Sequence, residues 1–356
     1  MMKPLRFALG LVAWACSVSG RVSDHTSFNV PEAQEELREQ RIAATAASKA
    51  IDVQIDAEEA DAVLAIIAGH PVWDRLFQTD AYKRLKQREA GGKYSITDAD
   101  FREFVVSDEL QRRASVLSRA LTEWKKADLA GAGSRILPYL PEGVRIRAKV
   151  YIVIKPRENS FVSDLLRNPA VFLFLDPKLS KAQFENTVAH ELHHVGLATL
   201  AKEMEQAISG LPPNARRAAE RTGTFGEGLA MLAAAGSSDI HPHANSPGDV
   251  RARWDTDVAN FEQDLMRLDA FFLEIIDGKL TEAEEREKAA SFFGVQGPWY
   301  TVGWKMAVTV EKTSGRTVLV DCMKDMRRLL VRYNEAAERQ HLPRWSPRLI
   351  EALRSQ

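Results

Sequence analysis

Apolar residues recur at helical spacing over most of this chain and switch to strand spacing in only two places. From about Pro31 to Ala132 the pattern is helical. In "IDAEEADAVLAII", Asp56 and Glu59 stand in capping-box spacing ahead of Val63, Leu64, Ile66 and Ile67. "TDADFREFVVSDELQRRASVLSRALTEW" continues with apolar residues three and four apart, and "LAGAGSRILPYLPEG" then breaks the pattern with Gly and Pro. Two extended segments follow. "RIRAKVYIVIK" is alternating and β-branched, and "AVFLFLD" is a short continuous apolar run closed by Asp176 and Pro177. "LSKAQFENTVAHELHHVGLATLAKEMEQAISG" reads as one long helix, with Ser180 and Gln183 as a capping box and Gly210 as its stop. A small-residue helix begins in "EGLAMLAAAG". From about Val250 the chain is helical, with breaks at "IDGKL", "GVQGPW" and "TSGR".

Composition narrows what such a chain can do. Its 48 Lys and Arg nearly balance its 49 Asp and Glu, so it lacks the basic excess a nucleic-acid binder uses against phosphates, and a DNA or RNA partner is not expected. The N-terminus, "MMKPLRFALGLVAWACSVSG", has Lys3 and Arg6 ahead of an apolar run from Phe7 to Cys16 and then small residues. That order is a signal-peptide pattern over residues 1–20, too short for a spanning helix. Export to the periplasm or beyond is therefore expected, with either cleavage near residues 15–20 or a lipid anchor at Cys16. No later run is long and apolar enough for a transmembrane span. Cys16 and Cys322 are the only cysteines, so disulfides are not expected to hold the fold together.

The chemistry is concentrated in H-E-L-H-H, residues 190–194. Successive helical residues turn by about 100°, so His190 and His194 lie about 40° apart on one face and can present two imidazoles to one ion. Glu191 lies on the flank, where it can reach a metal-activated water without being a ligand; this is the H-E-x-x-H arrangement of zinc peptidases. Two surface histidines with a salt-bridging glutamate are the competing reading. His193 lies about 100° from His194 and about 60° from His190, which suits a supporting or packing role better than ligation.

A catalytic zinc takes three protein ligands and keeps one position open. A third histidine in the metzincin position is excluded, because Leu197 and Leu200 stand where that motif needs Gly and His. The remaining solution is a carboxylate from a second helix. "TFGEGLAML" offers Glu227 between two glycines that permit close backbone approach; the alternative is an N-terminal glutamate favoured only by the helix dipole.

H-E-L-H-H followed by G-E-G-L-A, preceded by "LPYLPEGVRI" and an apolar strand, resembles the gluzincin-type metallopeptidases, in particular an uncharacterised family of bacterial zinc-dependent peptidases. The likeness covers roughly residues 50–335, with the two metal motifs specific and the remainder loose. It implies Zn²⁺ held by His190, His194 and Glu227, Glu191 as general base, a peptide or protein substrate, and an edge strand, here "AVFLFLD", that pairs with an extended peptide. Thermolysin-like enzymes carry an Asp four residues after the glutamate ligand; Met231 stands there, so the ligands must be oriented from elsewhere. "GVQGPWYTVGWKMAV" also resembles that family. It places Trp299, Tyr300 and Trp304 near a helix start, with Tyr300 either a donor to the oxyanion or an aromatic of the core. His241 and His243, in "DIHPHANSPGD", are expected to be solvated loop histidines, the alternative being contact with substrate or a second ion.

The expected fold is α+β and predominantly helical: a helical region at 21–135, a zincin-like catalytic core at 136–245 with a small sheet packed on the H-E-x-x-H helix, and a helical region at 246–356. The expected function is an exported zinc metallopeptidase. Its rivals are a zinc-dependent amidase acting on cell-wall amides and a non-enzymatic metal-binding protein. Glu191 argues against the latter, since a structural site needs no base and prefers four protein ligands.

Overall fold

A computed structural model describes residues 50–89 and 96–354; the expected export signal at 1–20 and the expected anchor position Cys16 lie outside the described residues. Apart from the N-terminal segment, the chain forms two compact units. One comprises Asp52–Leu129 and Arg147–Val188, the other Ala130–Ile146 and Ala189–Gln356.

The first unit is built on a mixed four-stranded sheet. Its strands are β1 (Ile51–Asp56), β2 (Ile146–Val153), β3 (Phe161–Ser163) and β4 (Ala170–Phe174), in the order β1-β2-β4-β3. β2 and β4 run parallel with Tyr151 opposite Phe172, and β3 runs antiparallel to β4 with Phe161 opposite Phe172. The three rings stack with centroids 4.7 and 4.8 Å apart, so cross-strand aromatic contact fixes the register.

Three expectations need correction here. β4 is not an edge strand: Phe161–Ser163 turns back through residues 164–169 and covers the side an extended peptide would need. Ile51–Asp56, inside the segment read as helical, is a strand. The capping box of Asp56 and Glu59 does not form. The next helix, α1 (Glu58–Ile67), starts after Ala57 without a side-chain cap, and the fully buried Glu59 instead accepts the Ile154 backbone N–H at 2.9 Å. A partner almost a hundred residues away outcompetes the local cap, because a buried strand-end N–H must find an acceptor.

Helices α2 (Trp73–Gln78), α3 (Asp80–Glu89), α4 (Asp98–Val106) and α5 (Asp108–Trp124) complete this unit's helical part. Ala81 and Leu85 of α3 join Tyr151, Phe161 and Phe172 in its core.

Helix α6 (Leu129–Ile136) precedes the sheet's second strand, and α7 (Lys181–Ala198) is the helix of the H-E-L-H-H motif. Its capping box is present: Ser180 N–H donates to Gln183 Oε1 at 2.9 Å and Gln183 N–H to Ser180 Oγ at 3.3 Å. The long helix read through to Gly210 breaks after Ala198. Three-residue turns at Thr199 and Leu200 close it, and α8 (Ala201–Ile208) starts anew.

Beyond it lie α9 (Pro213–Thr222), α10 (Gly226–Ala235), α11 (Gly248–Ala259), α12 (Phe261–Ile276), α13 (Glu282–Ser291), α14 (Pro298–Ser314), α15 (Arg316–Asp321), α16 (Arg327–Arg339) and α17 (Pro347–Ala352). Breaks fall at the three sites the glycines mark, and further ones, not expected from the sequence, fall at Asn260, between Asp321 and Arg327, and between Arg339 and Pro347. α14 is the central element of the second unit, lying against α10, α12 and α16. Trp299 on α14 is fully buried among Phe225, Phe271, Phe272 and Phe292, with centroids 5.3–6.2 Å away, and its indole N–H donates to Ala289 O at 2.8 Å. Cys322 is buried and free. Among the described residues no helix is long and apolar enough to cross a membrane.

Candidate metal centre

α7 and α10 bring together three candidate donors from positions four and 33 residues apart in sequence. His190 Nε2 lies 3.2 Å from Glu227 Oε2, His194 Nε2 lies 3.3 Å from the same oxygen, and the two Nε2 atoms are 3.1 Å apart. All three residues are buried. Four-coordinate zinc with ligands at about 2.0–2.1 Å places its donors about 3.3 Å from one another, so the triangle has the size one such ion requires. Its chemistry fits as well. Two unprotonated imidazole nitrogens facing each other at 3.1 Å repel unless a proton or a cation lies between them.

α10 can approach closely because of its glycines. A Cβ on Gly228 would lie 2.0 Å from the backbone nitrogen of Trp304 and 2.2 Å from the carbonyl carbon of Gly303, so only Gly fits where α10 crosses α14. Gly236, at φ 84°, then ends α10 in the left-handed conformation.

The electrostatics agree with this placement. Burial alone would raise the Glu227 carboxyl, but the charges and hydrogen bonds of His194 and His190 outweigh it and hold Glu227 well below the usual carboxylate range. Burial opposes protonation of His194, yet the Glu227 carboxylate beside it raises its pKa overall. Glu191 is different. It is fully buried, and neither carboxylate oxygen has a hydrogen-bond partner among the described residues. Burial raises its pKa, and the neighbouring His190 and His194 only partly offset this.

Tyr300, on the first turn of α14, stacks its ring 6.3 Å from that of His190 and hydrogen-bonds its hydroxyl to Glu227. Burial and the charges of Glu227 and Glu191 push its pKa well above 10, so the hydroxyl stays protonated and donates. The hydrogen bond fixes Glu227 from α14, while Met231, four residues after it, offers no such bond.

His193 does not join the triad. Its Nε2 lies 3.1 Å from the Tyr139 carbonyl, and burial lowers its pKa to about 3, so the neutral ring donates to that carbonyl. Tyr139 in turn donates its hydroxyl to Glu311 at 3.1 Å, and Arg316 Nε donates to Glu311 at 2.7 Å while its guanidinium lies 4.3 Å from the centre of the Tyr139 ring. Sequence reasoning did not identify Tyr139, Glu311 or Arg316. Nothing local relates residues 172 positions apart.

The loop histidines divide. His241 is partly exposed and lies 3.1 Å from Asp255, but His243, expected in solvent, is buried at 7 % exposure. The ring is drawn in by Trp254, with centroids 5.1 Å apart, and by Ser246 Oγ, 3.2 Å from Nδ1.

With this geometry in view, residues 73–341 match a family model described as "Putative zinc dependent peptidase (DUF5700)". The chain belongs to this family. The matched span contains every residue of the site. Among the described residues, the group of three donors that could hold the family's metal is His190, His194 and Glu227. No curated protein and no solved structure matches the chain.

Proposed function

We propose that the protein is an exported zinc metallopeptidase in which His190, His194 and Glu227 hold the ion and Glu191 is the general base. The observation that carries this reading is the Glu191 carboxylate. It is buried without a protein partner beside three converging donors, an arrangement that costs stability and that a purely structural metal site does not need. Bound zinc would polarise the scissile carbonyl and acidify the attacking water. Glu191 accepts the water's proton and passes it to the leaving amine, so the carboxylate is restored at the end of the cycle. Tyr300 donates its single hydroxyl proton to Glu227 in the resting site, and as the donor we assign to the developing oxyanion it turns that proton from Glu227 to the new oxygen charge. Export rests on the basic and apolar N-terminal pattern.

The test is Glu191→Gln, a nearly isosteric change, assayed on a broad peptide library and on peptidoglycan fragments. Zinc content and fold should be retained while kcat falls by about 10²–10⁴-fold. Comparable hydrolysis by wild type and variant would overturn the mechanism. Cleavage of peptidoglycan fragments alone would overturn the peptide substrate.

A further inference from the structure

The metal-binding stretch of α7 has no apolar stripe to turn it toward the core. From Ala189 to Leu197 every residue except His194 is buried, whichever side of the helix it occupies. A helix apolar along one stripe is rotated into place by that stripe. In one buried all round, apolar area alone sets the rotation weakly, and a directional contact decides it.

The turn at Leu137–Tyr139 supplies that contact. The Tyr139 carbonyl can only accept, so the neutral His193 ring donates to it from Nε2, and Nδ1 is the unprotonated nitrogen, with no partner among the described residues. Three residues along the same face, Gly196 makes room for the next residue of that segment: a Cβ there would meet Leu140 Cδ1 at 2.4 Å. The segment is in turn held by α14. The Tyr139 hydroxyl donates to Glu311, and Arg316 grips the same carboxylate while covering the Tyr139 ring. The Glu311 side chain is only 8 % exposed, so water screens this ion pair less than a surface one.

α14 is thereby bonded toward both helices that carry metal donors. On its first turn Tyr300 meets Glu227 of α10, and about 16 Å along its axis Glu311 reaches α7 through Tyr139 and His193. We propose that Glu311, held by Arg316, is a positioning residue for the metal centre: through Tyr139 and His193 it sets the rotation of α7, and so the triangle of His190, His194 and Glu227. This role rests on the metal-centre reading and not on the reaction.

Tyr139→Phe deletes only the hydroxyl that meets Glu311, Glu311→Gln keeps the shape and removes the charge, and Arg316→Met removes the guanidinium, with Arg316→Lys as the conservative rescue. The full chain is loaded with zinc, whose affinity is read by chelator competition, and separately with cobalt, whose visible bands report ligand geometry. All three ligands remain, so zinc should survive dialysis. Its Kd should nonetheless rise about tenfold in the first three variants with shifted cobalt bands, and stay within about threefold of wild type in Arg316→Lys. The double variant Tyr139→Phe/Glu311→Gln should bind no more weakly than the worse single one, because both changes break the same chain of contacts. Ser346→Ala is the control for stability alone. It removes a cap from α17 in the same unit and should lower Tm with Kd and bands unchanged. Unaltered cobalt bands in Tyr139→Phe and Glu311→Gln, with Kd within about twofold of wild type, would overturn the proposal, as would the same shifts in Ser346→Ala. Wild type that takes up neither metal would refute the metal centre itself and the positioning role with it.

Discussion

Gly228→Ala tests whether the crossing of α10 and α14 sets the metal centre. The added Cβ would meet backbone atoms only: Trp304 N at 2.0 Å, Gly303 C at 2.2 Å and Gly303 Cα at 2.6 Å. Backbone cannot rotate aside as a side chain can. Moving from 2.0 Å to an ordinary contact near 3.4 Å requires the helices to part by about 1.4 Å. Alanine gains up to about 1 kcal/mol in helix propensity over glycine, while overpacking costs about 1–3 kcal/mol or more, and rigid neighbours place this site at the upper end. The net loss is about 2 kcal/mol, a fall in Tm of roughly 4–8 °C for a unit of this size. Parting the helices also strains the Tyr300–Glu227 hydrogen bond that spans them, and a misplacement of about 1 Å costs roughly 10²-fold in rate. Thermal melts, zinc stoichiometry and peptide hydrolysis are read beside Gly248→Ala, where a Cβ meets nothing within 4 Å and no loss is expected. Gly228→Ala that melts at or above wild type with full zinc and activity would refute the reasoning.

His190→Ala, His194→Ala and Glu227→Ala should each lose zinc on dialysis, and His193→Ala should keep it, its ring being spent on the Tyr139 carbonyl; metal analysis reads both, and the reverse pattern would displace the ligand assignment. Glu59 should make the fold weaken as pH rises. Burial raises its carboxyl from 4.5 to about 8, so between those values the folded state holds a proton that the unfolded state has released. Its contribution is complete below about pH 4.5 and is lost by up to about 1.4 kcal/mol per pH unit on the way to pH 8. Denaturant melts of Glu59→Gln should lack that slope, and a wild type-to-variant difference that is flat with pH would contradict it. Mass spectrometry of protein recovered after expression with its native N-terminus should show a new terminus between residues 16 and 21 or an acylated Cys16, whereas an intact Met1 or Met2 refutes export.

The division between what was legible in the chain and what was not follows the range of each interaction. H-E-L-H-H could be read because a helix alone places His190 and His194 on one face, and the Ser180–Gln183 box lies within a single turn. The β-branched run of β2 and the apolar run of β4 showed themselves by composition, and glycines marked three of the C-terminal helix boundaries, while those at Asn260, 322–326 and 340–346 carried no such mark. Glu227 could be placed because two glycines beside a buried acid are themselves a local signal of close approach.

Other features depended on partners far along the chain. Ile51–Asp56 becomes a strand through pairing with the sheet, and β4 lies in the interior because a three-residue strand folds back on it. Glu59 leaves its cap for the N–H of Ile154. His243 is polar in an outwardly solvent-like loop, and only the packing of Trp254 takes it out of water. Tyr139 reaches Glu311 across 172 positions. A local pattern records which face of an element is apolar; which element covers that face, and which buried polar groups then find or lack a partner, is decided only when distant segments meet.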